Sequence, residues 1–428
     1  TTAVPPDIVL LLDDSGSMGW TYMPDKAYLV DSGTYLVNAA NNKVYYDPAI
    51  EYKAPPKADG VSFYPNITDI TSAPREGFAA TPSLQNITQY SNNFNFYHRI
   101  NDGTSRRPSY RYFFRFAVGP VDTTQTVYYV APVGQSCAGL TNCVNADHVG
   151  PPYAPAGVPV SRNIGNWFSY YHTRVLMAKS GLMTAFVDLS PNYRFGFGSL
   201  NDRNTAQLPA GRYTSGMTIS NVHQFGNGAS GTNKAQFWKW LETMSPSSST
   251  PLRRALHAAG KYYETAQPWE SMEGDPNYDP TATNTGELAC RASYTILTTD
   301  GFWNGSDPNV AAMKGAASSD GPAYTATDGS TAKYQAIDPF TGGGVSGGTS
   351  LADIAAYYWK RDLRTGTANL VPTNQNDPAF WQHMTTFTFG IGFEPVEYKN
   401  GPVLPMDDIF AWARDGGGAG STHAIPGV

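Results

Sequence analysis

The segment that most constrains this chain is an apolar run near its start that ends in a cluster of oxygen-bearing side chains. Residues 8–12 read IVLLL without a polar interruption, which is typical of a strand buried on both faces of a parallel sheet. Asp13, Ser15 and Ser17 follow at alternating positions, and Gly16 allows a sharp turn between the serines. One carboxylate and two hydroxyls are hard ligands, so this pattern indicates a site for a small divalent cation such as Mg²⁺.

The two hydroxyls matter for what such a site can do. A site made only of carboxylates would neutralise the cation, whereas serine ligands leave it able to accept one more oxygen from outside the chain. The competing interpretation is a simple capped turn, because Asp and Ser favour turn positions in any protein.

Two later segments supply further candidates. Thr250 lies in the polar segment SPSSST directly before Pro251, and Asp300 ends the apolar segment YTILTTD, which has the character of a second buried strand. Thr250 has a second interpretation. With Pro251 at the first helical position, its hydroxyl could act as a helix N-cap without contacting a metal.

These three pieces, taken in order, resemble the metal-ion-dependent adhesion site of von Willebrand factor A domains. The resemblance implies one divalent cation, Mg²⁺ first and Mn²⁺ or Ca²⁺ as alternatives, and a partner carboxylate that completes its coordination shell. Three hydroxyls would bind the cation, and two aspartates would hold it directly or through water. The residues are Asp13, Ser15, Ser17, Thr250 and Asp300.

Helical and strand patterns alternate through the second part of the chain. An apolar spacing of three and four residues predicts a helix over residues 168–185 that lies on the sheet. The further predicted elements are strands at 193–201, 293–299 and 384–393 and helices at 234–244, 251–264, 351–363 and 407–414. This alternation predicts an α/β fold with a doubly wound, mostly parallel, Rossmann-like sheet, and the resemblance implies that it is of the von Willebrand factor A type. In such folds ligands bind beyond the carboxyl ends of the strands.

Residues 20–163 lack a helical period and hold short aromatic and β-branched runs between Pro, Gly and Asn turns. We expect a β-rich insertion here, rather than a disordered linker, because aromatic residues are so frequent. The remaining residues, 1–19 and 164–428, would form one discontinuous domain. Since the insertion begins three residues after Ser17, it could cover or pull on the cation site, or it could present a separate surface.

The composition argues against nucleic-acid binding and favours an extracellular location. The net charge is −6, whereas proteins that bind nucleic acid usually carry a basic surface. Only 15% of residues are charged and 27 are Tyr, which suits an extracellular surface. No apolar run approaches the eighteen or so residues of a membrane span, and we expect the start, TTAVPP, to be that of a secreted protein after signal removal. The seven histidines are dispersed and give no support for a zinc site.

The three cysteines are informative by position. Cys137 and Cys143 flank a short loop and are the candidate disulfide, consistent with an oxidising compartment. Cys290 is then left over and would be a small buried residue. Pairing of Cys290 with either of the other two stays open.

A narrower resemblance lies in the connecting segments, at residues 42–60, 249–263, 293–305, 350–364 and 376–392. They resemble the amino-terminal region of PilY1-type proteins, which are associated with the tip of type IV pili. The resemblance implies an extracellular protein of a Gram-negative bacterium, at the pilus tip or outer membrane, involved in pilus assembly, twitching motility, attachment and surface sensing. It implies minor pilins and host surfaces as partners. It also implies a carboxy-terminal β-propeller, with a calcium site of its own, that this sequence does not include.

The leading hypothesis is therefore a metal-dependent adhesion module and not an enzyme. One alternative is a structural pilus-tip component whose metal only makes its loops rigid. Another is an acyl-phosphate phosphatase with Asp13 as nucleophile, although Ser15 stands where that chemistry requires a second acid.

Overall fold

The computed structural model describes residues 4–23, 39, 42–47, 49–87, 96–100, 109–114, 127–129, 154–201, 212–214, 217–275, 278–281, 286–301, 303–305, 307–336 and 348–391. The chain forms two compact units. The first comprises Thr1–Met18, Ala58–Gly60 and Asp188–Val428, and the second comprises Gly19–Lys57 and Val61–Val187. The helices before residue 188 thus group with the second unit. The predicted helix at 407–414 lies outside the described residues.

The strands in the described part of the chain are numbered in chain order. They are β1 (Asp7–Leu12), β2 (Ala73–Pro74), β3 (Leu84–Gln85), β4 (Phe96–Ile100), β5 (Ser109–Phe114), β6 (Val127–Tyr129), β7 (Arg194–Ser199), β8 (Arg212–Thr214), β9 (Thr218–Ser220), β10 (His223–Gln224), β11 (Ser293–Thr299), β12 (Tyr324–Thr325), β13 (Thr331–Ala332) and β14 (Thr385–Gly390). The α-helices are α1 (Val160–Tyr170), α2 (Arg174–Phe186), α3 (Asn233–Thr243), α4 (Leu252–Tyr263) and α5 (Leu351–Trp359). Short 3₁₀ turns occur at Gly16–Gly19, Gln267–Trp269 and Ala311–Met313.

The first unit is built on a five-stranded sheet with the order β10-β7-β1-β11-β14. All neighbouring strands are parallel except β10, which pairs antiparallel with β7 at the edge. Leu11 of β1 pairs with Gly198 on one side and with Leu297 on the other. The prediction of an α/β fold with a mostly parallel central sheet is confirmed.

The sheet carries helices on both faces because its central strands are apolar on both faces. Val9, Leu11 and Leu297 belong to one buried cluster with side chains of α4 and α5. On the β7 side, Phe197 packs against the rings of Phe237 and Trp240 from α3, with centroid distances of 5.1 and 5.0 Å. Burial on both faces explains why the sequence of β1 shows no alternation.

Helices α4 and α5 approach closely at Gly260. A Cβ at this position would lie 2.2 Å from the Tyr358 ring, so only glycine fits without displacing that side chain. Helix α5 begins with the predicted capping box, in which Ser350 and Asp353 exchange hydrogen bonds between side chain and main chain. It ends at Trp359, four residues earlier than predicted.

The single helix predicted over residues 168–185 is wrong. The structure has two helices there, because Thr173 caps a new helix by accepting a hydrogen bond from the Leu176 backbone N–H at 3.3 Å. Phe168 of α1 packs in a cluster with Tyr45, Tyr46, Tyr52 and other residues of the second unit.

Polar side chains of α1 organise the irregular part of the second unit. Asn163 accepts a hydrogen bond from the Tyr52 backbone N–H at 2.7 Å, and Asn166 accepts one from the Ile67 backbone N–H at 2.9 Å. Irregular backbone must find partners when it is buried, and these amides supply them. The remaining described strands of this unit form two small antiparallel sheets, β2-β3 and β4-β5-β6.

Candidate functional site

Asp13 is the first residue after β1 and is fully buried. Its Oδ1 accepts a hydrogen bond from the Ser15 backbone N–H at 2.8 Å. Its Oδ2 accepts one from the Thr299 hydroxyl at 2.9 Å and one from the Asp300 backbone N–H at 3.3 Å. The Asp13 backbone N–H donates to the Thr298 hydroxyl at 3.1 Å. The carboxyl ends of the two neighbouring strands β1 and β11 therefore join at this aspartate.

The two serines connect this aspartate to the second acid. Ser15 Oγ lies 3.0 Å from Ser17 Oγ, and the Ser17 hydroxyl donates to Asp300 Oδ1 at 2.8 Å. The 3₁₀ turn at Gly16–Gly19 carries Ser17 back toward β11. The structure thus brings four of the five predicted residues into one connected set of oxygens at the carboxyl edge of the sheet.

The loop that carries Thr250 lies beside the first loop. The Gly16 backbone N–H donates to the Ser248 carbonyl at 3.2 Å, and the Ser247 backbone N–H donates to the Asp14 carbonyl at 2.7 Å. Thr250 itself is buried, and α4 begins two residues later, at Leu252. The N-cap position of α4 is Pro251, and no side chain caps the helix. The N-cap interpretation of Thr250 is therefore not supported.

Three residues that hold these loops were not identified from the sequence. Asn304 brackets Thr250, since its Oδ1 accepts from the Thr250 N–H at 2.7 Å and its own N–H donates to the Thr250 carbonyl at 3.0 Å. Asp14 Oδ1 accepts from both the backbone and the side-chain nitrogen of Asn201, at 2.9 and 3.0 Å. The position of Asn201 at the end of the predicted strand 193–201 was the available signal, because polar residues at carboxyl ends of parallel strands collect at one edge.

Burial dominates the electrostatics of the site. The pKa of Asp13 is raised to about 6, first by burial and then by the nearby Asp300 carboxylate, while hydrogen bonds from Ser15 and Thr299 oppose the rise. Burial also raises the pKa of Asp14, against hydrogen bonds from Asn201 and Ser199. In the described part of the chain, Asp13 forms no ion pair with a basic side chain. A buried carboxylate of this kind is costly until a cation or a proton neutralises it.

The donor set fits a hard divalent cation. It offers carboxylate and hydroxyl oxygens and no sulfur or imidazole, which is the chemistry of Mg²⁺, Mn²⁺ and Ca²⁺ sites. Within the described ranges, no three His, Cys, Asp or Glu side chains cluster in a way that could hold a metal ion. The candidate set agrees with that, since it has two aspartates and its remaining members are hydroxyls.

The cysteine predictions fall mostly on undescribed positions. Cys137 and Cys143 lie outside the described residues, so their predicted disulfide stays a prediction. Cys290 is half-buried and free. Across the described ranges, no helix has both the length and the apolar character needed to span a membrane.

Sequence comparison relates the chain to pilus proteins. It is 30% identical over 413 residues to the type IV pilus biogenesis factor PilY1 of Pseudomonas aeruginosa strain PAO1. The aligned region covers 91% of this chain and 32% of that protein. The PilY1 proteins of strains PAK and UCBPP-PA14 are 28% and 30% identical, over 411 and 417 residues. The chain thus spans about a third of the length of the curated relatives it matches.

No family model matches the chain. No solved structure matches it. The three relatives are named as type IV pilus biogenesis factors. The resemblance inferred from the connecting segments is confirmed, and over 91% of its length this chain is PilY1-like.

Proposed function

We propose that this chain is the metal-dependent adhesion module of a PilY1-like type IV pilus protein. The first unit acts as a von Willebrand factor A-type domain that binds one divalent cation at the carboxyl edge of its sheet. Through that cation it binds a carboxylate-bearing partner, such as a minor pilin or a host surface. In the whole protein this module supports pilus assembly, twitching motility, attachment and surface sensing from the tip of the pilus.

The observation that carries this proposal is the connected set of oxygens at Asp13, Ser15, Ser17 and Asp300. These side chains come from two loops that are 283 residues apart between Ser17 and Asp300, yet their oxygens lie within hydrogen-bond distance. A buried aspartate without an ion pair in the described part of the chain costs free energy. A bound cation would offset that cost, which gives a physical reason for the arrangement.

The hydroxyl ligands favour a binding role over a purely structural one. The loops are already closed by their own hydrogen bonds, such as those between Thr250 and Asn304, so the cation adds charge more than it adds loop order. Because neutral hydroxyls transfer less charge to the metal than carboxylates do, the cation keeps its attraction for an external carboxylate.

The phosphatase alternative lacks its second acid. Ser15 stands two residues after Asp13, and its hydroxyl lies against the hydroxyl of Ser17 at 3.0 Å. A serine hydroxyl does not protonate a leaving group as a carboxylic acid does. We therefore propose no enzymatic function.

Calorimetry with Mg²⁺, Mn²⁺ and Ca²⁺ tests the site directly. Asp13→Ala and Thr250→Ala should abolish or strongly weaken binding, because each removes a ligand oxygen. Asp69→Ala is the matched control, since Asp69 also accepts hydrogen bonds from two nearby hydroxyls, Thr71 and Ser72, but is exposed and lies in the second unit. Wild-type affinity in both test variants would refute the assignment.

A surface-binding assay tests the partner chemistry. The chain should bind a carboxylate-coated sensor surface in Mg²⁺ and release it in EDTA, and it should not bind an amide-coated surface. If the cation binds but the carboxylate surface is not recognised, the metal is structural and the adhesion role is wrong.

A cell assay tests the role in the whole protein. If the proposed function is correct, Ser17→Ala in the full-length protein should lower attachment and the number of surface pili.

A further inference from the structure

We infer that Asn201 is the positioning residue of this cation site. Its side-chain amide holds the loop of Thr250 against the loop of Asp13 and so sets where the threonine hydroxyl can meet the metal. This inference rests on the proposed cation site and adds to it a residue that contributes no ligand.

Asn201 is itself held by the sheet. The backbone N–H of Leu200 donates to the Leu12 carbonyl at 3.1 Å, which continues the pairing of β7 with β1 by one residue. The Leu200 carbonyl in turn accepts from Arg254 of α4 at 3.1 Å. Because the backbone beside Asn201 is held by these hydrogen bonds, its side-chain amide has a defined position from which it can bond to two loops.

The amide nitrogen of Asn201 contacts both loops at once. It lies 3.0 Å from Asp14 Oδ1 on the first loop. On the second loop it lies 3.2 Å from the Ser247 carbonyl and 2.6 Å from the Ser249 carbonyl. Asp14 directly follows the candidate ligand Asp13, and Ser249 directly precedes the candidate ligand Thr250.

The second loop needs such a restraint because its backbone is strained. Ser248 has a φ of 70°, a left-handed conformation that residues with a side chain rarely adopt. Its carbonyl accepts a hydrogen bond from the Gly16 N–H at 3.2 Å. The bonds from Asn201 to the carbonyls on either side of Ser248 oppose relaxation of the turn.

Asn304 also holds Thr250, because it bonds to both the backbone N–H and the carbonyl of the threonine. The threonine is therefore fixed relative to the β11 loop by Asn304 and relative to the β1 loop by Asn201. Asn201→Ala removes the restraint toward the β1 loop and leaves the one toward the β11 loop, so we expect weakened cation binding and a retained fold.

Mn²⁺ titration followed by the electron paramagnetic resonance signal of free Mn²⁺ tests the inference. Asn201→Ala should weaken Mn²⁺ binding by about tenfold or more, as is typical for residues that orient metal ligands. Asn233→Ala is the matched control. Asn233 also uses its amide to bond two main-chain carbonyls of the sheet, those of Phe195 and His223, but at the other end of β7. Its substitution should change Mn²⁺ affinity by less than twofold.

A double-mutant cycle separates positioning from general stability. If Asn201 acts through Thr250, then adding Asn201→Ala to Thr250→Ala should weaken binding little further. If the two losses multiply, Asn201 does not act through Thr250 and the inference is wrong. Should Asn201→Ala fail to fold, Asn201→Ser, which keeps one donor, replaces it with the same expected direction.

The outcomes distinguish the inference from the function on which it rests. Failure of the wild-type chain to bind Mn²⁺ overturns the cation site and the positioning role together. Wild-type binding with unchanged affinity in Asn201→Ala overturns only the positioning role. Weakened binding in Asn201→Ala with near-wild-type affinity in Asn233→Ala, together with a non-multiplying cycle, supports it.

Discussion

The two ends of strand β1 hold the same kind of buried acid in opposite surroundings. At the amino end, Asp7 is fully buried, and its Oδ1 lies 2.5 Å from Arg194 Nε. Asp275 Oδ2 in turn lies 3.1 Å from Arg194 Nη1 and 2.6 Å from Arg291 Nη2. Two aspartates thus meet two arginines there, and the chain neutralises its own charges.

At the carboxyl end, Asp13 is equally buried but is met by hydroxyl and backbone N–H groups. Burial and the nearby Asp300 raise the pKa of Asp13, and only hydrogen bonds oppose the rise, whereas two arginines oppose the corresponding rise at Asp7. The comparison shows that burial of an aspartate does not by itself indicate function. What indicates function is an acid whose compensating charge must come from outside the chain.

The largest expected effect breaks the self-neutralised end. Arg291→Ala should lower the free energy of unfolding by about 3–5 kcal/mol, because Asp275 and Asp7 lose a buried cationic partner. Lys333→Ala, which removes an exposed partner of Asp320, should lower it far less, because solvent screens a surface ion pair. Urea denaturation of both variants measures the difference. Equal losses would mean that the buried network contributes no more than a surface pair.

The next effect is the pH dependence that Asp13 gives to the stability of the metal-free protein. Burial raises the pKa of Asp13 from 3.8 to about 6, so the folded state binds a proton more tightly than the unfolded state does. The resulting stability is present below pH 4 and is lost as the pH rises through about 6. The loss amounts to at most about 3 kcal/mol, since one pKa unit corresponds to about 1.4 kcal/mol.

Asp13→Asn isolates this contribution. Burial also raises the pKa of Asp7 to about 6, even though Arg194 and Arg291 lower it, so both proteins share the Asp7 contribution. Urea denaturation from pH 4 to pH 7 should therefore show a steeper fall in the wild type than in Asp13→Asn. Parallel curves would mean that the pKa of Asp13 is not raised in the folded protein. Saturating Mg²⁺ should flatten the wild-type curve.

The third effect is metal-dependent stabilisation confined to one end. At a Mg²⁺ concentration 100 times the dissociation constant, stability should rise by about 2.7 kcal/mol through mass action. Arg291→Ala should keep this increment, although its starting stability is lower, whereas Asp13→Ala should lose it. Thermal melts with Mg²⁺ and with EDTA provide the measurement. An increment that disappears in Arg291→Ala would show that the two ends are coupled.

The sequence predicted the central strands well because their burial on both faces leaves unbroken apolar runs. The strand predicted at 293–299 is β11 with the same bounds. The helix at 168–185 was predicted wrongly because its apolar spacing continues through a break. The Thr173 cap and the partners of Phe168 in the second unit decide the outcome, and neither appears in a periodicity.

The candidate site shows the same limit. Asp13, Ser15, Ser17, Thr250 and Asp300 were predicted from motif and order, and the hydrogen bonds unite four of them. The residues that place Thr250 were missed, because Asn201 and Asn304 act through main-chain contacts across long sequence separations. Such contacts leave no spacing rule in a single sequence.

The smallest effect concerns the hydrogen bond that the Thr299 hydroxyl donates to Asp13. Thr299→Val keeps the shape of the side chain and removes this 2.9 Å hydrogen bond to Asp13 Oδ2. The metal-free protein should lose about 1 kcal/mol, the usual net value of one such bond, and the pKa of Asp13 should rise further because that bond lowers it. Thr295→Val is the control, since Thr295 is buried on the same strand four residues earlier. With Mg²⁺ present, calorimetry should show weaker binding in Thr299→Val than in Thr295→Val, yet stronger than in Asp13→Ala. Identical affinities in the two threonine variants would mean that the orientation of Asp13 is set by its backbone contacts alone.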